Sequence, residues 1–202
     1  LIFCADNGVC DERVGSAPQS VTHAQTVNFV RGLTGVAVLA RAFQASLVVA
    51  DVGVNAPVTY PGVRDLRVRP GTGNIRVEDA MARSEALEAI RRGAALAREA
   101  AAQGFWALGV GEMGVGNTTT SAAVLSALTG VSSDLLTGIG GGIGDTRLER
   151  KREVIRDAIR RADPNPGDVV GVLSKLGGLD LCAMAGAYLG AAAARRPVVI
   201  DG

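Results

Sequence analysis

An α/β fold, Rossmann-like and doubly wound, with a mostly parallel sheet and helices on both faces, is what the 202 residues predict. Short, continuous apolar runs alternate with longer stretches of helical spacing, which is the pattern of parallel strands covered on both sides. Aromatics make up only 3% of the chain while glycine reaches 27 residues, so helices are expected to pack closely on the sheet through small contacts. Gly-rich or acidic turns follow several of the apolar runs, where an open α/β sheet gathers its ligands.

The elements follow in order. Residues 1–5 (Leu-Ile-Phe-Cys-Ala) read as a buried strand, and residues 21–43 as helical, with Val27, Val30, Leu33, Val36, Leu39 and Phe43 near helical spacing. A strand is expected at 47–51, a loop at 57–62 and a less regular edge strand at 64–68. Residues 78–103, rich in Ala, Leu, Glu and Arg, form the next helical stretch, followed by an apolar strand at 105–110. Helices are predicted at 118–128, 146–162 and 179–194, with a firm break at Asp163-Pro164-Asn165-Pro166-Gly167. Residues 169–173 fit strand or helix equally, and 198–200 closes the set as a strand. The alternation implies right-handed crossovers within a single α/β domain over residues 1–202. The chain opens on one strand without an initiator methionine and closes just after another, so it is expected to be a fragment of a longer protein.

Composition narrows the function. Lys and Arg total 21 against 20 for Asp and Glu, without a basic block, so nucleic acid is not an expected partner. Cys4, Cys10 and Cys182 are an odd, scattered set, which points to reduced thiols in the cytoplasm and away from a zinc site or a disulfide framework. No apolar run reaches the length of a membrane span, and none reads as a secretory signal. No His, Cys and acidic cluster has metal-ligand spacing, so neither a metal nor a cofactor is expected.

The most informative segment is Gly111-Glu112-Met113-Gly114-Val115-Gly116-Asn117-Thr118-Thr119-Thr120, set between a predicted strand and a predicted helix. Glycines let the backbone approach a ligand, and a helix start offers unpaired N–H groups and the positive end of its dipole. The spacing nearly matches a P-loop, but Asn117 stands where the lysine would be, so nothing reaches the β- and γ-phosphates of a triphosphate. A single phosphoryl group suits this junction better; a Gly-rich turn without any ligand is the plain alternative. A second Gly-dense loop, 137–145, leads into a helix bearing Arg147, Arg150, Lys151 and Arg152. Such a loop can close over the same phosphate, with at most one of the adjacent cations pointing inward. Glu112 could bind a sugar hydroxyl, transfer a proton or cap its own loop. His23, the single histidine, is expected on the surface. The turns Asp6-Asn7-Gly8, Asp51-Val52-Gly53 and Asp201-Gly202 follow strands and are expected to line one cleft with this loop.

Together these stretches resemble the nicotinate-nucleotide:dimethylbenzimidazole phosphoribosyltransferase family. Gly111 to Thr119, Asp51-Val52-Gly53-Val54, Arg69-Pro70-Gly71-Thr72-Gly73-Asn74, Gly177-Gly178-Leu179-Asp180 with Ala183-Met184-Ala185-Gly186-Ala187, and the closing 197–202 carry the resemblance. It implies transfer of the phosphoribosyl group of nicotinate mononucleotide to 5,6-dimethylbenzimidazole, giving α-ribazole 5′-phosphate and nicotinate in cobalamin synthesis. It implies substrate-binding roles for Gly114, Gly116, Asn117, Thr118, Thr119, Lys151, Gly140, Gly142, Asp6 and Gln19, and makes Glu112 the catalytic candidate within this chain. By the same resemblance the chain is the core of the family's large domain, the protein is a homodimer, and residues 14–25 help form the base pocket. The family's general base, a glutamate in a Gly-Glu-Gly motif, has no counterpart in this sequence, and Asn7 stands for a histidine usual in the family. A non-catalytic paralogue that binds a nucleoside monophosphate is therefore the alternative reading.

Overall fold

The computed structural model describes residues 1–142 and 144–200. Strands β1 (Ile2–Ala5), β2 (Val49–Gly53), β3 (Val63–Asp65) and β5 (Gly111–Met113) form a sheet in the order β3-β2-β1-β5, with every pair parallel. A short β4 (Leu108–Gly109) pairs in parallel with β6 (Val198–Val199). Only Val110 separates β4 from β5. One extended segment thus touches β6 with its beginning and β1 with its end.

The chain steps outward from β1 to β2 and β3, then crosses back to place β5 on the other side of β1. This reversal opens a crevice at the carboxyl ends of β1 and β5, the place where such sheets bind ligands. Strand alternation sorts the side chains into two cores. Ile2, Cys4 and Val49 meet Val27, Phe29 and Val30 of α1 (Ser20–Val30) on one face. Phe3, Ala5, Ala50 and Val52 pack on the other face with α3 (Arg83–Ala102) and α8 (Leu179–Ala193). These two helices lie in backbone contact. A Cβ at Gly93 would stand 1.9 Å from the carbonyl oxygen of Ala183, and one at Gly186 1.9 Å from that of Ile90. The expected small-residue packing takes this form.

Several boundaries differ from the sequence expectation. The helical stretch at 21–43 divides into α1 and α2 (Gly35–Ala42), because Gly32 turns to φ +77° and Thr34 caps a new start by accepting the Ala37 N–H. The stretch at 78–103 becomes helical only at Arg83, since Ala80 and Met81 donate their N–H groups to Lys175 and Ser174. The apolar strand expected at 105–110 starts instead at Leu108 and runs through the glycine motif to Met113. Trp106 is 75% exposed, and the Phe105 N–H still bonds the end of α3 at Ala100. Residues 169–173 resolve as helix α7 (Val169–Leu176), capped by the Asp168 carboxylate on the Gly171 N–H. Helix α4 (Asn117–Thr129), the short α5 (Ser133–Leu136) and α6 (Asp145–Ala162) complete the set; α4, α6 and α8 agree with the sequence to within a residue at each end. No helix among the described residues is long and apolar enough to cross a membrane.

Candidate functional site

Between β5 and α4 the chain makes one tight turn. Gly116, at φ +94°, supplies the left-handed residue that starts the helix. Gly114 is pressed against β1, and a Cβ there would lie 2.3 Å from the Ala5 carbonyl oxygen. The amino end of α4 is thereby fixed beside the crevice. A cavity of about 200 Å³ opens over it, lined by Gly114, Val115, Gly116, Asn117 and Thr118 from the turn, by Val14–Ala17 and Val21 from the first loop and α1, and by Ile139, Gly140, Gly141 and Lys151 opposite.

Lys151 is the one cation in that lining. It is 1% exposed, and its Nζ donates to Thr118 Oγ1 at 2.7 Å and to the Gly138 carbonyl at 3.1 Å. Both acceptors are neutral, and burial holds the amine below the usual lysine range. Its neighbours on α6 are occupied elsewhere. Arg150 pairs with Glu12 at 2.6 Å and Glu153 at 2.9 Å, Arg152 with Glu149 at 3.4 Å, and Arg147 donates to the Gly15 carbonyl at 3.3 Å. One inward cation among the adjacent basic residues matches the expectation from helical geometry.

The other anticipated residues are distributed as follows. The Asn117 amide bridges two groups: Nδ2 donates to Glu112, and Oδ1 accepts the Thr118 N–H at 2.6 Å. Thr119 turns its buried hydroxyl away from the cavity, and Oγ1 has no hydrogen-bond partner among the described residues. Gly140 lines the cavity, whereas Gly142 is exposed beyond it. Gln19 lines an adjoining cavity of about 370 Å³ that shares Gly15, Ser16 and Ala17 as its wall, and Gln19 Nε2 donates to the Asn7 carbonyl at 3.3 Å. Asp6 is buried outside both linings; Oδ2 accepts the Asn55 N–H at 2.8 Å, while Oδ1 finds no partner among the described residues. Burial pushes the Asp6 carboxyl up.

Glu112 is half-buried and reaches the phosphate-type turn only through Asn117; burial raises its carboxyl also. Of the roles open to it from sequence, binding its own loop is the one this geometry displays. His23 is half-buried on α1, outside both cavity linings. The Asp51 turn departs from expectation. Its carboxylate folds back onto the N–H groups of Gly53, Val54 and Val58, so it shapes its own loop and does not line the cavity. The Asp201-Gly202 turn lies outside the described residues.

Two residues at the crevice appear in the sequence only as parts of a turn and of a family stretch, with no role attached. Asn7 and Asp180 are fully buried and bonded to one another, Asn7 Nδ2 to Asp180 Oδ2 at 3.3 Å. The available signal was the pair Gly177-Gly178 ahead of an acidic residue in the first turn of a helix. No group of described residues has the composition and placement to hold a metal ion.

The phosphoribosyltransferase family model matches residues 1–202. A relative named nicotinate-nucleotide–dimethylbenzimidazole phosphoribosyltransferase, from Ruminiclostridium cellulolyticum, is 48% identical over all of this chain and 57% of its own length. The protein of the same name from Clostridium perfringens is 46% identical, with 56% of its length covered. Among solved structures, CobT from Thermus thermophilus is similar with a TM-score of 0.95 and 39% identity, over 100% of this chain and 60% of that one. The chain spans a little over half the length of the curated relatives it matches.

Proposed function

Since the chain belongs to the phosphoribosyltransferase family along its whole length, we propose that it supplies the phosphate- and ribose-binding core of an enzyme acting on nicotinate mononucleotide. The acceptor is 5,6-dimethylbenzimidazole and the products are α-ribazole 5′-phosphate and nicotinate. One observation carries this reading: the buried Lys151 ammonium has no carboxylate partner among the described residues and faces the amino end of α4 across a small cavity. A phosphoryl dianion is the group that completes such a site, neutralising the amine while accepting N–H bonds from the turn. One cation with about 200 Å³ of space suits one phosphoryl group. Gly114, Gly116, Asn117, Thr118, Gly140 and Lys151 would hold the phosphate; Thr119 and Gly142, whose N–H groups bond the Gly116 and Ile139 carbonyls, would shape the two loops around it, and Asp6 and Gln19 would shape the ribose and base side.

Held at its phosphate, the sugar presents C1′ towards the neighbouring cavity. Binding energy at this remote group then goes into alignment of the reacting atoms. The glycosidic bond breaks with its electron pair leaving on the nicotinate nitrogen, positive charge builds at C1′, and a benzimidazole nitrogen donates its pair to that carbon. The ring then loses the proton on its other nitrogen, a step for a carboxylate base. Glu112 is the candidate in this chain, acting alongside a family glutamate that the sequence does not include. The reading also extends to a homodimer in the cytoplasm, with this chain as the core of the larger domain.

Nicotinate mononucleotide should raise the melting temperature, and Asn117→Ala with Lys151→Ala should remove the rise. An unchanged melting temperature at saturating nucleotide speaks against the site. Nicotinate release on adding dimethylbenzimidazole distinguishes the enzyme from a binding module, which would hold the nucleotide without turning it over.

A further inference from the structure

Asp180 is a titratable side chain in a place that water does not reach. It stands in the first turn of α8, fully buried, with Oδ1 accepting the Leu181 N–H at 2.9 Å and Oδ2 the Asn7 amide at 3.3 Å. The backbone leaves room for it on two sides. A Cβ at Gly178 would lie 2.1 Å from Oδ1, and one at Gly114, in the phosphate-type turn, 2.8 Å from Oδ2. Glu112 precedes Gly114 by two residues, so strand alternation directs both positions to one face of the sheet. Its register partner Phe3 packs in the core beneath α8, which puts the Glu112 carboxyl on the same face as Asp180.

Neither carboxyl takes part in an ion pair among the described residues. The titratable groups that act on Asp180 or are acted on by it are Glu112 from β5, the Cys4 thiol from β1 and the Cys182 thiol from α8. Asp51 and Asp6, further along the strand ends, act on Cys4, Cys10 and each other, and the Arg67 guanidinium 3.9 Å from Asp51 is spent there. The dipole of α8 is the positive element at Asp180, and it is worth well under a full charge. Two carboxylates in such surroundings cannot both stay ionised.

We propose that Asp180 and Glu112 hold one proton between them, with Asp180 neutral and Glu112 anionic, so that Asp180 is a positioning residue for the phosphate turn. The proton belongs on Asp180 because that carboxyl is the more deeply buried, while Glu112 is half-buried and accepts the Asn117 Nδ2–H as an anion would. Burial, reinforced by the Glu112 charge, pushes Asp180 up to about 7. An ionised Glu112 then fixes one end of the Asn117 amide, whose other end holds the Thr118 N–H. The protonation of a residue outside the cavity lining thereby sets the geometry of the loop within it. As a statement about nucleotide affinity this rests on the function proposed above; as a statement about the proton it does not.

Infrared spectra of the chain at pH 6 and pH 9, with Asp180→Asn and Glu112→Gln variants, test the proton directly. At pH 6 the wild-type protein should show a protonated-carboxyl C=O stretch that disappears in D180N. In E112Q its titration midpoint should fall by about one unit or more, as expected for coupled carboxyls. The absence of that band at pH 6, its survival in D180N, or an unmoved midpoint in E112Q would overturn the pairing. A second measurement follows nicotinate mononucleotide affinity from pH 7 to 9, where the phosphate is already a dianion. Wild-type affinity should decline by about tenfold over this range, corresponding to one pKa unit of coupling, while D180N stays flat. Equal pH slopes would refute the positioning role. A wild-type protein that binds no nucleotide would overturn both that role and the proposed function, and the infrared result would still decide the proton.

Discussion

Replacing Lys151 by methionine should move stability and affinity in opposite directions. Methionine retains most of the aliphatic stem and removes a buried charge whose bonds among the described residues go to Thr118 Oγ1 and the Gly138 carbonyl. Losing the unpaired ammonium is worth about 2–4 kcal/mol, by analogy with buried ions replaced by apolar groups. The two abandoned acceptors cost about 1 kcal/mol each, and Thr118 is exposed enough for water to take the place of Nζ. The net expectation is a gain of about 1–2 kcal/mol without nucleotide, or roughly 2–8 °C in Tm for a domain of this size. Nucleotide binding should suffer by about 3–4 kcal/mol, because a charge-assisted contact to phosphate and its field are both lost; that is a several-hundred-fold rise in Kd. Thermal unfolding with and without nicotinate mononucleotide, combined with titration calorimetry, reads both quantities. A methionine variant that is less stable than wild type, or that binds equally well, would show that Lys151 serves the fold and not a ligand. There is a pH signature as well. The folded protein releases the Lys151 proton before the unfolded chain does, so wild-type stability should gain on approaching the ordinary lysine range from below, and K151M should lack that gain.

Three further outcomes follow from the packing and the buried charges. Gly186→Ala should destabilise the chain by about 2–4 kcal/mol in urea unfolding, since the added methyl meets the backbone of Ile90 and not a side chain that could move aside. Gly114→Ala drives a methyl into the Ala5 carbonyl, so it should lower Tm and weaken nucleotide binding together; unchanged binding would place the ligand away from this turn. Asp180, with its folded-state value raised to about 7, keeps a proton that the unfolded chain gives up near its ordinary value of 3.8. Stability from this group is therefore complete below pH 3.8 and lost as pH rises towards 7, and urea midpoints of D180N should not show that decline.

Much of the architecture is legible in the sequence itself. Continuous apolar runs such as 1–5 and 47–51 have no polar face, and that property identifies strands inside a parallel sheet. The phosphate-type turn was legible because glycine spacing and a small-residue helix start are local features. Lys151 was reachable by combining helical geometry with the resemblance. The extent of β5 was not: Gly111 and Gly114 look like loop residues, and only the pairing of Ile2 with Gly111 and Cys4 with Met113 draws that segment into the sheet. The split at Gly32 was hidden by apolar spacing that continues through the break. Thr119 shows a limit of motif reasoning, because adjacent helical residues diverge by about 100°, so the hydroxyls of Thr118 and Thr119 cannot both face one cavity. Asp180 was obscure for a different reason. Its significance depends on the absence of a cation nearby, and local sequence does not record what fails to arrive from a distant strand.

The contact between α3 and α8 bears on which parts of the chain can change shape. Two backbones that touch at Gly93 and Gly186 have no rotamers to reorganise between them, so the layer they form behind the sheet has almost no freedom to yield. Adjustment at the cavity over α4 is left to the loops around it, where a Cβ at Gly141 would meet the Ser16 hydroxyl, a side chain able to move aside. Variation in what this cavity accepts should therefore be written in those loops, while the glycines behind the sheet stay silent.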